Sequence, residues 1–427
     1  MNIIHRMNDN SKFLPRLISP AVQAALGRFP VVVLTGARQT GKSTLVSNPP
    51  IGSDRVYRTL DDFDVFERAR EAPDALLQDS TKLTVDEVQR LPDLLHEIKR
   101  IVDRRRTPGR FLLTGSANLL LMKRVSESLA GRAVYLHLWP MTESEKAGLP
   151  LMGPWSELLA ARNVAEARQA ISSGQAVKDW PARLVAGGYP VAALALAQEE
   201  RSQWFDGYIR TYLERDLQEV ASIAGLADFR RFMRLAALRT GRLLNQTELA
   251  RDAGLSQPTA HRYINLLETS CQIVRVAPYT VSRTRRLVKT PKLYWTDTGL
   301  AAHLAGIHES ESVLSSPLAG ALFENLVLIH LLAWRETLGV RPEILYWRSH
   351  AGEEVDLVIE SGERLLPIEI KLGKRAGPDD VRGLRTFLED YSDSAPFGVL
   401  IYGGAEALLV ADKILALPSS CIIEKYC

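Results

Sequence analysis

Residues 31–44 read Val-Val-Val-Leu-Thr-Gly-Ala-Arg-Gln-Thr-Gly-Lys-Ser-Thr. Val31 to Leu34 are apolar and mostly β-branched, the pattern of a buried strand. Gly36-x-x-x-x-Gly41-Lys42-Ser43 follows, the full phosphate-loop pattern. Gly36 and Gly41 let the backbone turn tightly and aim its N–H groups at phosphate oxygens. Lys42 brings a positive charge to the β- and γ-phosphates, and the Ser43 hydroxyl suits Mg²⁺. Ala37, Arg38, Gln39 and Thr40 complete the cradle. Thr44 lies in the run that follows, which is compatible with a helix whose positive end faces the anion. The stretch predicts an ATP and Mg²⁺ site in an α/β domain.

Working outward, Leu14 to Gly27 reads as an amphipathic helix leading into that strand. Arg55 to Leu60 reads as a second strand, ending in Asp61 and Asp62. Lys82 to Glu87 reads as a third, ending in two acids, and Arg110 to Ser116 as a fourth. Ala133 to Leu138 is a fifth. Strands alternating with helical stretches argue for a mainly parallel sheet covered by helices. At the end of the third strand, Asp86 can hold the Mg²⁺ water shell and Glu87 can orient or deprotonate the attacking water. Thr114, Ser116 and Asn118 sit where a polar group senses the γ-phosphate.

A chain of 427 residues has room for roughly two to four domains. Its net charge of +3 is too small to imply a nucleic-acid partner, so only local clusters can do so. Cys271, Cys421 and Cys427 have no metal spacing and suggest no disulfide framework, which fits a reducing cytoplasm. The polar N-terminal residues lack the apolar core of a signal peptide. No apolar run reaches membrane-spanning length; the richest, Ala321 to Trp334, contains Glu324 and Asn325.

Met152-Gly-Pro154 marks a boundary. Residues 151–235 then read as mostly helical, a lid or linker, with Arg183 and Arg215 as equal candidates for a nucleotide-reading arginine. Residues 236–300 carry a clearer pattern. Leu244 to Ala250 begins one helix, capped by Asn245. Asp252 to Ser256 is a tight turn. Gln257 to Glu268 begins a second helix, with Ser256 as cap and Pro258 in its first turn. This is a helix-turn-helix. Strand Ile273 to Val276, a basic loop with Arg283, Arg285, Arg286 and Lys289, and strand Lys292 to Trp295 close a wing. On a DNA-binding reading, Gln257, Thr259, His261 and Arg262 face the groove and the wing touches phosphate.

Residues 301–427 form an α/β pattern. Pro317 to Val327 begins a long apolar helix carrying Glu324. Ile344 to Arg348, Glu354 to Glu360 and Leu365 to Lys371 read as strands, the last two joined by a Ser361-Gly362 turn. Strand alternation puts Glu369 and Lys371 on one face, with Asp356 able to meet them from the neighbouring strand and Glu324 from the helix. Three carboxylates plus a lysine suit metal-assisted phosphodiester hydrolysis: the acids hold Mg²⁺, and Lys371 positions water or stabilises the transition state.

Several motifs together resemble a known family. They are Gly-Ala-Arg-Gln-Thr-Gly-Lys-Ser-Thr-Leu at 36–45, Val-Asp-Glu-Val-Gln-Arg-Leu-Pro at 85–92, Leu-Leu-Thr-Gly-Ser-Ala-Asn at 112–118 and Leu-Ala-Gly-Arg at 129–132. They look like the prokaryotic AAA+ ATPases with a C-terminal DUF4143 domain. The resemblance implies an AAA+ core over residues 1–150 with strand order 5-1-4-3-2. It also implies a homo-oligomer in which Arg132, or Arg124 as the fallback, reaches a neighbour's nucleotide. Glu324, Asp356, Glu369 and Lys371 resemble a PD-(D/E)xK nuclease-like site, with two departures: no Pro precedes Asp356, and Leu372 follows Lys371. Two functions follow. One is an ATP-driven enzyme acting on DNA through a winged helix and a nuclease-like domain. The other is a non-nucleolytic ATP-dependent switch regulating DNA or a protein partner.

Overall fold

The structure is a computed structural model that describes residues 13–115, 129–169, 171, 179–214 and 225–423. Ser116, Asn118, Arg124 and Arg215 lie outside the described residues. Strands β1 (Val31–Thr35), β2 (Val56–Thr59), β3 (Leu83–Asp86), β4 (Phe111–Thr114) and β5 (Ala133–His137) form a parallel sheet in the order β2-β3-β4-β1-β5. Read from the other edge, this is the 5-1-4-3-2 order that the resemblance implied. Alternation sends Val31 and Val33 to one face, against Ile98 and Val102 of the helix Leu94–Arg104. Val32 and Leu34 go to the other, against Val22 of the helix Ser19–Leu26. Burial on both faces explains why β1 is uniformly apolar. Because the strands are parallel, Gly36, Asp86, Glu87 and Thr114 all emerge at one carboxyl edge.

The next segment is helical. Helix Gln198–Tyr208 packs Trp204, Phe205 and Tyr208 inward, with Tyr208 stacked on Trp204 at 5.3 Å. Helix Gln246–Ala253 is capped by Asn245 and ends at Gly254, whose φ of +66° turns the chain. Helix Gln257–Thr269 follows, capped by Ser256. Strands β6 (Arg242–Leu243), β7 (Ile273–Val276) and β8 (Lys292–Trp295) make a small antiparallel sheet in the order β6-β8-β7. The basic segment expected as a loop between β7 and β8 contains a helix, Arg283–Val288.

Helix Ala319–Glu336 then leads into a mixed sheet of β9 (Glu343–Arg348), β10 (Glu354–Ser361), β11 (Arg364–Lys371), β12 (Gly398–Tyr402), β13 (Leu408–Ala411) and β14 (Ile414–Pro418). Their order is β13-β14-β12-β11-β10-β9. The β10–β11 hairpin turns at Gly362, with Ser361 opposite Arg364, as the Ser-Gly signal suggests. One apolar cluster runs continuously from the phosphate loop (Ala37) through the helix pair (Tyr263, Ile264) to the inner face of this last sheet (Leu357, Ile368). The pieces are therefore packed on one another, not strung on linkers.

Candidate nucleotide site and C-terminal acid cluster

The loop from Gly36 to Ser43 wraps tightly at the carboxyl end of β1. Gly36 has φ +151°, and a Cβ there would sit 2.4 Å from the Leu138 carbonyl oxygen, so no side chain fits. Gly41 has φ +90° and opens the helix Lys42–Ser47. Arg16 fastens the loop from outside: it donates to the Thr40 carbonyl at 2.8 Å and the Trp139 carbonyl at 2.7 Å, and pairs with Glu145 at 3.1 Å. Thr40 is fully buried and donates to Ala37 O at 2.9 Å. The Lys42 ammonium donates to Ala37 O at 2.7 Å and to Gly36 O at 3.1 Å. Burial pulls it down to about 8, against the opposing pull of Glu87 and Asp86.

Asp86 is 2% exposed, and both its oxygens are held. Thr114 donates to one, and Tyr57 donates to the other at 2.7 Å. Thr114 is fully buried, with its hydroxyl on this carboxylate. Tyr57 also interacts with Ser43, linking the two expected Mg²⁺ residues. Glu87 adopts φ +57°, ψ +41°, left-handed geometry that costs a non-glycine residue of order 1–3 kcal/mol and concentrates at functional sites. Burial raises its pKa and the Lys42 charge pulls it back. This donor set fits ATP with Mg²⁺: loop residues 36–44 would hold the phosphates, and Ser43 and Asp86 the cation, which supplies charge neutralisation at the phosphoryl group. Arg132 makes a two-pronged pair with Asp103 of its own chain, at 2.5 and 2.9 Å. Arg183 pairs with Asp179 at 2.9 Å and Glu143 at 3.5 Å.

The C-terminal acids have a partner that the sequence reading did not include. Among the described residues, no group of three or more His, Cys, Asp or Glu side chains is placed to hold a metal ion. Glu324 and Asp356 of the expected set share a lysine from β8, and Asp356 lies within electrostatic reach of both Glu324 and Glu369. Lys292, 2% exposed, pairs with Glu354 at 2.5 Å, Glu324 at 3.1 Å and Asp356 at 3.6 Å. Burial lowers its pKa, but Tyr294 and the surrounding carboxylates outweigh that and hold it well above the ordinary value. Tyr294 donates to Glu324, and Asp356 accepts from Ile370 N at 2.8 Å. Glu369 pairs with Lys371 at 2.5 Å. Burial, then the Asp356 charge, raise the pKa of both Glu324 and Glu369.

The sequence reading missed Lys292, Tyr294 and Glu354. A signal was present: a lysine inside an apolar strand is almost never fully buried unless paired. Arg286 is a second correction. Expected to touch DNA phosphate, it is turned inward, where it pairs with Glu360 and with Glu343 at 3.1 Å and lies over the Tyr279 ring. Arg283, Arg285 and Lys289 are exposed.

Residues 28–146 match the AAA domain family, and residues 319–422 match a domain of unknown function, DUF4143. Residues 177–311 match another, DUF8612. An uncharacterized protein of Mycobacterium tuberculosis is 32% identical over 404 residues, which cover 94% of this chain and 83% of that one. The chain belongs to the family of AAA-domain proteins with a C-terminal DUF4143 domain. An uncharacterized protein of Haemophilus influenzae is similar at 22% identity over 366 residues, covering 80% of this chain and 82% of that one. Among solved structures, a Walker-type ATPase of Pyrococcus abyssi is similar at TM-score 0.40 and 14% identity, covering 67% of this chain and 94% of that one. The AAA domain carries the loop, Asp86 and Glu87, and makes this DUF4143-family chain an ATP-binding ATPase. The DUF4143 match spans Glu324, Asp356, Glu369 and Lys371, while Lys292 lies outside it. No helix among the described residues is long and apolar enough to cross a membrane.

Proposed function

We propose that this ATPase is a nucleotide-dependent switch that binds DNA through a winged helix and does not cleave it. The observation that carries the reading is Lys292. Its ammonium lies among Glu324, Glu354 and Asp356, where a nuclease would need a metal ion. The DNA element of the reading rests on exposed polar groups. Gln257, His261 and Arg262 are exposed along the helix Gln257–Thr269, and Thr259 is half-buried beside them. Arg283, Arg285 and Lys289 add a basic edge. Self-association, with Arg132 leaving Asp103 to reach a neighbour's nucleotide, belongs to the same reading, as does a cytoplasmic location.

The second reading, metal-dependent cleavage, has one observation in its favour. Among the described residues Glu369 Oε2 is buried with no hydrogen-bond partner, beside Lys371 and within electrostatic reach of Asp356. A cleavage assay with Mg²⁺ or Mn²⁺, with and without ATP, separates the two. No cut DNA under any condition is expected. Cleavage that is lost in Lys371→Ala would establish the nuclease.

Joint substitution of Arg283, Arg285 and Lys289 to Ala is expected to weaken DNA binding. Each lost phosphate contact should make the slope of log K against log salt shallower by about 0.9. Arg286→Ala is expected to leave that slope alone and to lower stability, since it strips the counter-charge from half-buried Glu360. A slope unchanged by the triple substitution would take this edge out of the interface.

A further inference from the structure

The second helix of the pair ends against the nucleotide cradle. After Thr269, Cys271 takes a left-handed turn (φ +58°), and its sulfur approaches His137 Nδ1 of β5 at 3.8 Å. His137 Nδ1 also lies 3.4 Å from Thr35 Oγ1, the residue before Gly36. Gln272, 2% exposed, comes next. Its Nε2 donates to the Tyr208 hydroxyl at 3.1 Å, and its Oε1 accepts from the Tyr189 hydroxyl at 3.2 Å. The two hydroxyls lie 3.1 Å apart, and Tyr208 donates to the Arg38 carbonyl of the phosphate loop at 3.4 Å. Three segments thus meet in one buried polar triangle whose apex rests on the loop.

We infer that Tyr208 and Gln272 are positioning residues that transmit the occupancy of the phosphate loop to the helix Gln257–Thr269. The inference rests on the ATP-binding reading and extends it.

A proton count shows why the triangle has two settings. The Gln272 amide N–H and the two phenol O–H groups supply three protons to the four contacts just described. Within these four contacts, with the Tyr189 proton on Gln272, the Tyr208 proton can serve the loop carbonyl or Tyr189 but not both. The Arg38 carbonyl belongs to the same peptide unit as the Gln39 N–H, and Gln39 has φ +65°. A phosphate accepting from that N–H polarises the peptide, makes the carbonyl a better acceptor, and draws the Tyr208 proton toward the loop. A Tyr208 hydroxyl drawn toward the loop pulls on the Gln272 amide that donates to it, and through Gln272 on the end of the helix. Buried polar groups in an apolar core are costly unless satisfied. An aliphatic trio would fill this site without that cost and without a second setting. Because Ala37 packs in the same apolar cluster as Tyr263 and Ile264, a shift at the loop has a rigid path to the helix.

The test is hydrogen–deuterium exchange on the full chain, with and without a saturating non-hydrolysable ATP analogue and Mg²⁺. In the wild type, the analogue should slow exchange at residues 36–44 and change it at least threefold at residues 257–276. Tyr208→Phe keeps the ring against Trp204 and removes only the hydroxyl. It should weaken analogue binding about fivefold, as for one lost hydrogen bond. At saturation it should keep the response at 36–44 and lose the one at 257–276. Gln272→Met, nearly isosteric, should do the same from the other side. A full response at 257–276 in both variants overturns the inference, as does a wild type that responds only at 36–44. A wild type with no response at 36–44 removes the nucleotide site itself, and the coupling with it.

Discussion

Lys42→Ala is expected to abolish ATP binding, whereas Glu87→Gln should bind ATP normally and turn it over at least ~100-fold more slowly. The difference follows from where each group sits. The Lys42 ammonium is buried on the loop carbonyls of Gly36 and Ala37, so its charge is aimed at whatever the loop N–H groups hold. Glu87 stands one residue past Asp86 in a left-handed backbone conformation. Its carboxylate accepts from Gln89 and lies within electrostatic reach of Lys42, and it is expected to act on water and not to hold the phosphates. Equal loss of binding in both variants would show that Glu87 is structural. The same geometry predicts a pH effect. Burial lowers the Lys42 pKa to about 8 in the protein alone. Polyphosphate favours the charged ammonium, so binding above that pH must take up a proton. ATP affinity should therefore fall as pH rises through and beyond about 8. Calorimetry in buffers of different ionisation enthalpy would register the uptake, and its absence at pH 9 would show that Lys42 stays protonated throughout.

The first sheet was legible because its signals are local. A β-branched run, a glycine-spaced loop and paired acids at a strand end each declare themselves within about ten residues. The helix pair was legible for the same reason, through the Asn245 and Ser256 caps and the Gly254 corner. What the sequence hid depends on contacts between distant segments. Arg286 sits in a basic run and reads as a surface residue, yet its partner Glu360 is 74 residues away. Tyr208 lies in a run that reads simply as helical and Gln272 carries no local signal, and only folding sets Tyr208 on the Arg38 carbonyl and Gln272 against Tyr208. The C-terminal acids were found because strand alternation put Glu369 and Lys371 on one face. The meaning of that cluster changed because Lys292 enters it from a different element.

Lys292→Met is expected to be among the most destabilising substitutions in the chain, at roughly 3–5 kcal/mol, the cost of stranding buried partners of a broken ion pair. Methionine preserves the length and apolar stem of the side chain, so the loss is one of charge, not of volume. In β8, Lys292 stands between Val276 of β7 and Leu243 of β6, and the charges it leaves behind at Glu324 and Asp356 are mostly buried, with Glu354 the most exposed of the three. Glu324, Glu354 and Asp356 would then repel one another, and Glu324 already has a raised pKa from burial and from the Asp356 charge. A carboxyl whose folded pKa lies above its unfolded value contributes stability at low pH that is lost as pH rises through the folded pKa. The variant should therefore lose more stability than the wild type between pH 5 and 8, a range that begins just above the usual glutamate value of ~4.3. Adding Glu324→Gln to Lys292→Met should recover a substantial part of the loss, because it removes one of the stranded charges and leaves a group Tyr294 can still satisfy. Denaturant unfolding at both pH values measures all of this. A loss below about 1 kcal/mol would mean that water reaches the cluster and the lysine is dispensable. Recovery of the variant's stability by Mg²⁺ or Mn²⁺ alone would mean that the acids accept a metal once the ammonium is gone. The lysine would then be a removable plug in a site still able to bind a cation.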